Sequence, residues 1–225
     1  MFKIDGETMI ISKDVIIIDD EIISAVLDNK IKHITFEKGS ILSRFGLSIK
    51  CENSYLESVD FSSCELLNTL DMNAFYKCGK LKNVNLKNCK SLTTLSLNSF
   101  AFCSSLEELD FNDCVNLRDI STGAFKNCYN LKVVKLDNCK DLKSISRDSF
   151  VNCKSLEFLD FSNGKIVYVG DFAFSGCDNL RSVSFANQPL HDIGVGIFSD
   201  CKSLKIIDFS NCKDLHSFVN VYGEN

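Results

Sequence analysis

The twelve cysteines are the residues of this chain with the greatest capacity for chemistry. Thiolates bind zinc, form disulfides and act as nucleophiles, and each function requires a characteristic spacing or a nearby histidine. No C-x-x-C sequence occurs, and no cysteine pair has a histidine at the spacing of a zinc site. The three histidines, His33, His191 and His216, have no serine or cysteine at a motif spacing. The sequence therefore predicts no metal site, no cofactor and no catalytic group.

Phosphate-binding loops are not indicated either. The "GVG" at residues 194–196 lacks the third glycine and the strand-to-helix context of a dinucleotide loop, and no Walker sequence occurs. A triad assembled from distant residues stays open at this stage. An enzyme is therefore the least favoured of the function classes.

Eleven of the cysteines recur at two fixed positions of an internal repeat. One set lies three residues before the leucine that opens the next copy: Cys78, Cys103, Cys128, Cys153, Cys177 and Cys201. The other set directly follows a strand-like segment: Cys64, Cys89, Cys114, Cys139 and Cys212. Because a ligand or catalytic residue would not recur in every copy, we interpret these thiols as small apolar side chains that fill the core. Disulfides are the less favoured alternative, since equivalent Cβ atoms in stacked coils stay about 4.8 Å apart, beyond the ~3.8 Å of a bridge.

The repeat itself has a period of 24 or 25 residues. Its copies open at Ile31, Leu56, Leu81, Leu106, Leu131, Leu156, Leu180 and Leu204. Apolar residues at the first, fourth and sixth places predict a half-buried strand. Later in each copy a phenylalanine precedes a cysteine by three residues, which predicts one face of a short helical or 3₁₀ turn. A single coil cannot bury its own apolar side, so the copies must stack.

The stacked copies predict an α/β solenoid, a right-handed superhelix with a parallel sheet on its concave side and short helical or 3₁₀ segments on its convex side. We predict that residues 1–30 form an N-terminal cap and that residues 31–225 form the solenoid, with the copy from residue 204 incomplete. In the cap, "FKIDGETMII" predicts a hairpin about Asp5 and Gly6, and "DDEIISAVLDNK" predicts a short helix. Three alternatives stay open for the C-terminus: a tail that folds over the last coil, end-to-end self-association through the C-terminal edge, or a longer protein.

The consensus "LxxLDFxxCxxLxxIxxxAFxxC" resembles the leucine-rich repeat, in the short-period BspA-like variety with its "AFxxC" signature. The resemblance extends from about residue 31 to the C-terminus. It implies the solenoid fold and, because such repeats occur in surface antigens of bacteria and anaerobic protists, adhesion to a host or matrix protein. It does not identify the partner, since leucine-rich repeats carry many unrelated binding functions.

Charge and hydropathy restrict the partner and the location. A net charge of -5 and a pI near 5.3 disfavour nucleic acid and anionic membrane surfaces. No apolar run approaches the ~18–20 residues that span a bilayer, so membrane insertion is not expected. The first residues contain no uninterrupted apolar segment of a secretory signal, which predicts a cytoplasmic chain. The resemblance implies the cell surface instead, and the location stays open.

The side chains that face out of the strands, at the third and fifth places of each copy, are the candidate binding residues. Acidic residues occupy every second fifth place, where they form either a solvated face or an acidic stripe for a basic or polar partner. Apolar third places gather late in the chain, and Phe158 beside Val133 has the composition of an interface hot spot. The candidate partner-binding residues are Phe158, Val133, Lys135, Asp160, Asp110, Glu108, Ile206 and Asp208.

These observations favour a non-catalytic protein–protein interaction module that binds a protein of unknown identity on its concave face. The resemblance implies the role of a surface adhesin or antigen. A cytoplasmic scaffold or adaptor is the alternative, and an enzyme is the distant third.

Overall fold

The backbone winds into a solenoid of parallel strands with about eight coils. The computed structural model describes residues 1–47, 55–216 and 221–222. The predicted solenoid is confirmed. Cys51, the one cysteine outside the repeat pattern, and Phe218 of the last copy lie outside the described residues.

One short strand from each coil contributes to the concave surface, and equivalent residues of successive coils pair in parallel register. Ser58 pairs with Asn83, for example, and Val59 pairs with Val84. The strands are β3 (His33–Phe36), β5 (Ser58–Asp60), β7 (Asn83–Asn85), β9 (Glu108–Asp110), β11 (Val133–Lys135), β13 (Phe158–Asp160), β15 (Ser182–Ser184) and β17 (Ile206–Asp208). Hydrogen bonding divides this surface into three groups: β3, β5 and β7 together with the two N-terminal strands described below, β9 with β11, and β13 with β15 and β17.

A second parallel ladder, which the sequence did not suggest, lies on another side of each coil. Its seven two-residue strands form one sheet. They are β4 (Arg44–Phe45), β6 (Thr69–Leu70), β8 (Thr94–Leu95), β10 (Asp119–Ile120), β12 (Ser144–Ile145), β14 (Tyr168–Val169) and β16 (Asp192–Ile193). The apolar member of each pair faces the core, so this ladder fixes the coil at a second point.

The prediction of helical or 3₁₀ convex segments is wrong for the described coils, which have linked turns there. Asn98 at φ 54° and Phe102 at φ 63° flank Phe100 in the left-handed region. This alternation aims every second N–H at the next coil: Asn98 donates to Thr122 O at 3.0 Å and Phe100 donates to Ala124 O at 2.8 Å. A helix would direct its bonded N–H groups to carbonyls of the same coil and would leave the convex sides of neighbouring coils without these links.

The N-terminal residues contain the expected hairpin and helix. Strands β1 (Phe2–Asp5) and β2 (Thr8–Ile11) are antiparallel about Gly6, and β2 pairs in parallel with β3. Helix α1 (Asp20–Asp28) begins where the Asp19 side chain accepts the N–H of Ile22 at 3.0 Å. The hairpin therefore extends the concave sheet by one coil. No helix in the described part of the chain is long and apolar enough to cross a membrane.

At the other end, the described tail residues 221 and 222 accept hydrogen bonds from the preceding coil. Phe198 N–H donates to Val221 O at 2.8 Å, and Ser199 Oγ donates to Tyr222 O at 2.7 Å. One coil earlier, Phe174 N–H donates to Ile197 O in the same way, at 3.0 Å. Val221 therefore occupies the convex position of the last copy, which the sequence had left without a convex segment.

A column of stacked phenylalanines fills the centre of the solenoid. Phe125 is fully buried, and its ring centroid lies 5.5 Å from that of Phe100 and 4.9 Å from that of Phe150. The same stacking continues from Phe45 through Phe75 to Phe198. Each ring is thus enclosed by its equivalents in the two neighbouring coils.

The eleven described cysteines are free thiols, and nine are buried, as the interpretation of small core side chains predicts. They also have a role that the sequence did not reveal. Cys128 Sγ donates to Phe100 O of the previous coil at 3.0 Å, and that carbonyl also accepts the N–H of Cys103 at 3.1 Å. The equivalent bonds from Cys103, Cys153, Cys177 and Cys201 measure 3.1 to 3.2 Å. The thiols therefore link coils as well as filling space.

In the two coils that open at Leu156 and Leu180, Gly164 and Gln188 stand in the place of the second cysteine. Each coil is one residue shorter between the strand and the next apolar residue. Gln188 occupies the cysteine position, and it is buried, with 2% exposed. Its Oε1 accepts the N–H of Ile166 at 2.7 Å, and its Nε2 donates to Ser162 O at 3.1 Å. A Cβ at Gly164, in the preceding coil, would lie 3.1 Å from Leu142 O and 3.4 Å from the amide oxygen of Gln188. The glutamine thus replaces bonds that the shorter backbone cannot make.

Enclosure in the core also sets the ionisation of the thiols. Burial raises the pKa of Cys128 from 9.0 to about 12, and it raises the pKa values of Cys64, Cys89 and Cys139 to about 12 as well. The pKa of the less enclosed Cys201 rises to about 11. These thiols remain protonated donors near neutral pH and are poor nucleophiles.

We expect Phe125→Ala to lower the free energy of unfolding by about 3–5 kcal/mol, because it leaves a cavity in the central column. Phe158→Ala is the matched control, since Phe158 is 54% exposed, and we expect it to change stability by less than about 0.5 kcal/mol. Urea unfolding followed by circular dichroism measures both. Equal effects of the two substitutions would contradict the assigned register.

We expect the fold to lose stability as the pH rises from 9 towards 12. In that window the thiols of the unfolded chain ionise, while the buried thiols of the folded chain stay protonated. Each buried cysteine therefore lowers the free energy of unfolding by about 1.4 kcal/mol at about pH 10. Melting temperatures of the reduced chain between pH 8 and 11 test this. The control is a Cys89→Ala/Cys128→Ala/Cys139→Ala variant, whose melting temperature should fall less steeply, and parallel pH profiles would refute the assignment.

Candidate functional site

The concave strands expose alternate side chains, as predicted for the third and fifth places. On β13, Phe158 and Asp160 are exposed while Leu159 between them is 3% exposed. The same pattern holds on β9, where Glu108 and Asp110 flank a buried Leu109. The candidate residues therefore lie on one surface of the solenoid.

In the N-terminal part of this surface, polar side chains bind one another across neighbouring strands. The His33 ring Nδ1 and the Ser58 hydroxyl lie 2.8 Å apart, and Asn85 Nδ2 donates to Asp60 Oδ1 at 2.9 Å. Because their hydrogen-bonding groups already have partners, these residues offer little to a ligand.

Three of the candidate residues form an ion-pair cluster at the centre. The Lys135 ammonium on β11 contacts Glu108 Oε1 on β9 and lies 3.5 Å from Asp110 Oδ2. The hydrogen bond and the negative charge of Glu108 raise the pKa of Lys135. All three side chains are exposed, so the cluster is screened by solvent and adds little stability. With one ammonium and two carboxylates, the cluster keeps one negative charge.

The acidic residues of the fifth place have a structural role that neither interpretation of the stripe anticipated. Asp160 Oδ1 accepts the N–H of Ser162 at 2.8 Å, and Asp208 Oδ1 accepts the N–H of Ser210 at 2.8 Å. Accepting hydrogen bonds from Ser210 lowers the pKa of Asp208. Each carboxylate therefore closes the turn after its strand, while its remaining surface faces solvent.

Among the concave strands from β3 to β17, the exposed large apolar residues lie mainly on the last group of strands. Phe158 and Ile206 are 54% and 61% exposed, and Ser182 pairs with both of them in register. The two apolar side chains are thus two strands apart, about 10 Å. Val133 is 40% exposed but belongs to the group of β9 and β11, which is not hydrogen-bonded to β13. The structure brings Phe158 and Ile206 onto one sheet and leaves Val133 at its border.

The candidate set omitted a column of charges at the second place of each copy, which directly precedes each concave strand. Lys82 pairs with Glu57 at 3.0 Å, and Lys132 pairs with Glu107 at 2.7 Å. Hydrogen bonds and charge from these lysines lower the pKa values of Glu57 and Glu107. The signal was present in the sequence, because the sign of the charge alternates from copy to copy.

An open cleft of about 670 Å³ lies between β7 and β9, where the concave hydrogen bonding is interrupted. Charged side chains dominate its lining, among them Lys82, Lys87, Glu107, Glu108 and Asp110. Within residues 1–47, 55–216 and 221–222, no group of three histidine, cysteine or acidic side chains is placed to hold a metal ion. The cleft is a wide, polar interruption in the surface.

Comparison with known proteins connects this architecture to a family. The model described as "BspA type Leucine rich repeat region (6 copies)" matches residues 24–143 and 118–220. No curated protein matches the sequence.

Several solved structures are similar to this chain. A leucine rich cell surface protein from Faecalibacterium prausnitzii A2-165 is 18% identical over 89% of this chain and 78% of its own, with a TM-score of 0.37. The T. pallidum leucine rich repeat protein TpLRR is 18% identical over 96% of this chain and 87% of its own, with a TM-score of 0.42. The pneumococcal vaccine antigen PcpA is 17% identical over 89% of this chain and 67% of its own, also with a TM-score of 0.42.

The two matched ranges of the family model overlap and together include every concave strand from β3 to β17. They also include both cysteine columns and the phenylalanine column. Repeats of this kind are generally non-enzymatic interaction modules. The chain belongs to the BspA-type leucine-rich repeat family.

Proposed function

We propose that this chain is a non-catalytic module that binds a protein partner through the concave face of β13, β15 and β17. The supporting observation is the exposure of two large apolar side chains, Phe158 and Ile206, on one hydrogen-bonded sheet. Val133 borders the contact surface. Asp160, Asp208 and the cluster of Glu108, Asp110 and Lys135 form its polar rim.

The backbone beneath these side chains favours tight binding. Val183 and Leu159 are buried below the surface, and parallel pairing holds β13, β15 and β17 in register. A partner would therefore contact side chains whose backbone is already fixed, which reduces the entropy lost on association. An aromatic side chain near the centre of such a surface is a common hot spot.

The proposed biological role is adhesion at a cell surface, which the family resemblance supports. A scaffold inside the cell is the second candidate. End-to-end association through β17, the last strand of its sheet, stays a prediction that light scattering can test.

We expect a Phe158→Ala/Asp160→Ala variant to bind its partner more than about 1 kcal/mol more weakly, roughly a fivefold loss, because the central contact is removed. Partners captured by the wild-type chain would be identified by mass spectrometry, purified and titrated against each variant. The matched control is Leu66→Ala, which removes a side chain of equal exposure on the turn after β5. Equal affinity of the double variant and the wild type would refute the proposed face.

A further inference from the structure

The charges at the second place of each copy form a continuous edge column along the start of the concave strands. The edge column comprises Glu7, Lys32, Glu57, Lys82, Glu107, Lys132, Glu157, Arg181 and Lys205. Equivalent positions lie about 4.8 Å apart on neighbouring strands. The sign alternates at every step from Glu7 to Arg181 and fails only at Lys205.

Up to Arg181, the edge column consists of ion pairs between neighbouring coils. Lys32 contacts Glu7 at 2.8 Å, and Arg181 contacts Glu157 at 3.7 Å, in addition to the two lysine–glutamate pairs described above. Each basic side chain therefore has a carboxylate on the preceding coil. Placing opposite charges directly across a parallel pair favours pairing, whereas like charges oppose it.

Lys205 breaks the alternation of charge, although its backbone occupies the position equivalent to that of Arg181. Its N–H donates to Arg181 O at 3.0 Å, so the two residues occupy equivalent positions on adjacent strands. Both are exposed, and within the described residues Lys205 has no ion pair. Two cations are therefore adjacent, at the position where the alternation calls for a carboxylate.

The two cations also border the apolar face of the proposed site. Lys205 directly precedes Ile206, and Arg181 directly precedes Ser182, which lies between Phe158 and Ile206 in register. A ligand that covers the apolar side chains would pass beside both cations. The surface thus combines a positive edge with an apolar centre.

We infer that the partner presents a carboxylate, from an aspartate or a glutamate beside apolar residues, that binds between Arg181 and Lys205. This inference rests on the proposed function and adds the chemistry of the partner. A single carboxylate would contact both cations. It would place a negative charge after Arg181, where the alternation of charge along the edge column stops. The nearby carboxylates of Glu157, Asp160 and Asp208 oppose a phosphate-rich polymer, whose higher charge density they would repel.

The test uses a phage-displayed library of random twelve-residue peptides selected on the immobilised full chain. We expect enriched peptides to contain an acidic residue next to a large apolar residue. In fluorescence anisotropy titrations, Lys205→Glu should weaken their binding at least tenfold. Lys140→Glu makes the same charge change at an exposed turn after β11 and should alter the affinity less than twofold.

A double-mutant cycle links the effect to the carboxylate. Changing the acidic residue of the peptide to its amide should weaken binding to the wild type, but should cause little further loss with Lys205→Glu. The Lys205→Glu variant should fold, with an equal or higher melting temperature, because it supplies Arg181 with a second carboxylate.

The outcomes separate this inference from the proposed function. Peptides that need Phe158 but contain no acidic residue, or that bind Lys205→Glu normally, would overturn the carboxylate assignment alone. Peptides insensitive to both Phe158→Ala and Lys205→Glu would overturn both proposals. A library without any enriched sequence would overturn the carboxylate assignment, as would a phosphoserine peptide that binds more than tenfold tighter than its aspartate form.

Discussion

Hydrogen bonding between equivalent backbone groups of successive coils is the constraint on which this structure depends. It operates at three places along the solenoid: within each of the three groups of concave strands, in the two-residue ladder, and at the convex turns, where Phe100 N–H bonds to Ala124 O. All three can form together only if each coil has nearly the same path length. Where the path shortens by one residue, the buried amide of Gln188 makes the replacement bonds. Equal coils then place identical side chains in columns.

The columns explain why a chain rich in cysteine shows so little thiol chemistry. A thiol at the same point of each coil lies between its equivalents, away from water, and donates to a phenylalanine carbonyl of the preceding coil. Burial raises the pKa of Cys128 and so preserves its proton for this bond. The reactive potential of the residue is therefore suppressed by the same packing that makes it useful to the fold.

Much of this architecture could be predicted from sequence because its dominant signal is periodic. The strand register, the buried Phe125 and the exposed Phe158 all follow from counting places within a copy. The convex turns did not follow, because phenylalanine and cysteine three residues apart fit a helix and a linked turn equally well. Residue type also gives no sign that Phe102 adopts a positive φ, which only the bond to the next coil favours.

The placement of the candidate residues on the concave strands was predictable, and their contacts were less so. Counting places located Lys135 and Asp160 on the concave face, but it could not show that Lys135 contacts Glu108 or that Asp160 closes a turn. Those outcomes depend on side-chain reach and on neighbouring N–H groups. The edge column shows the opposite case, since its alternation can be read from the sequence once the register is known.

The alternating edge column also determines how many coils can be duplicated together without placing like charges side by side. Duplicating one coil, such as that of Lys82, would set two lysines side by side, whereas duplicating two successive coils, such as those of Glu57 and Lys82, would keep every charge next to its opposite. Insertions and deletions are therefore electrostatically neutral only in even numbers of coils. For recombination or engineering, the interchangeable module of this protein is a pair of coils of about 50 residues.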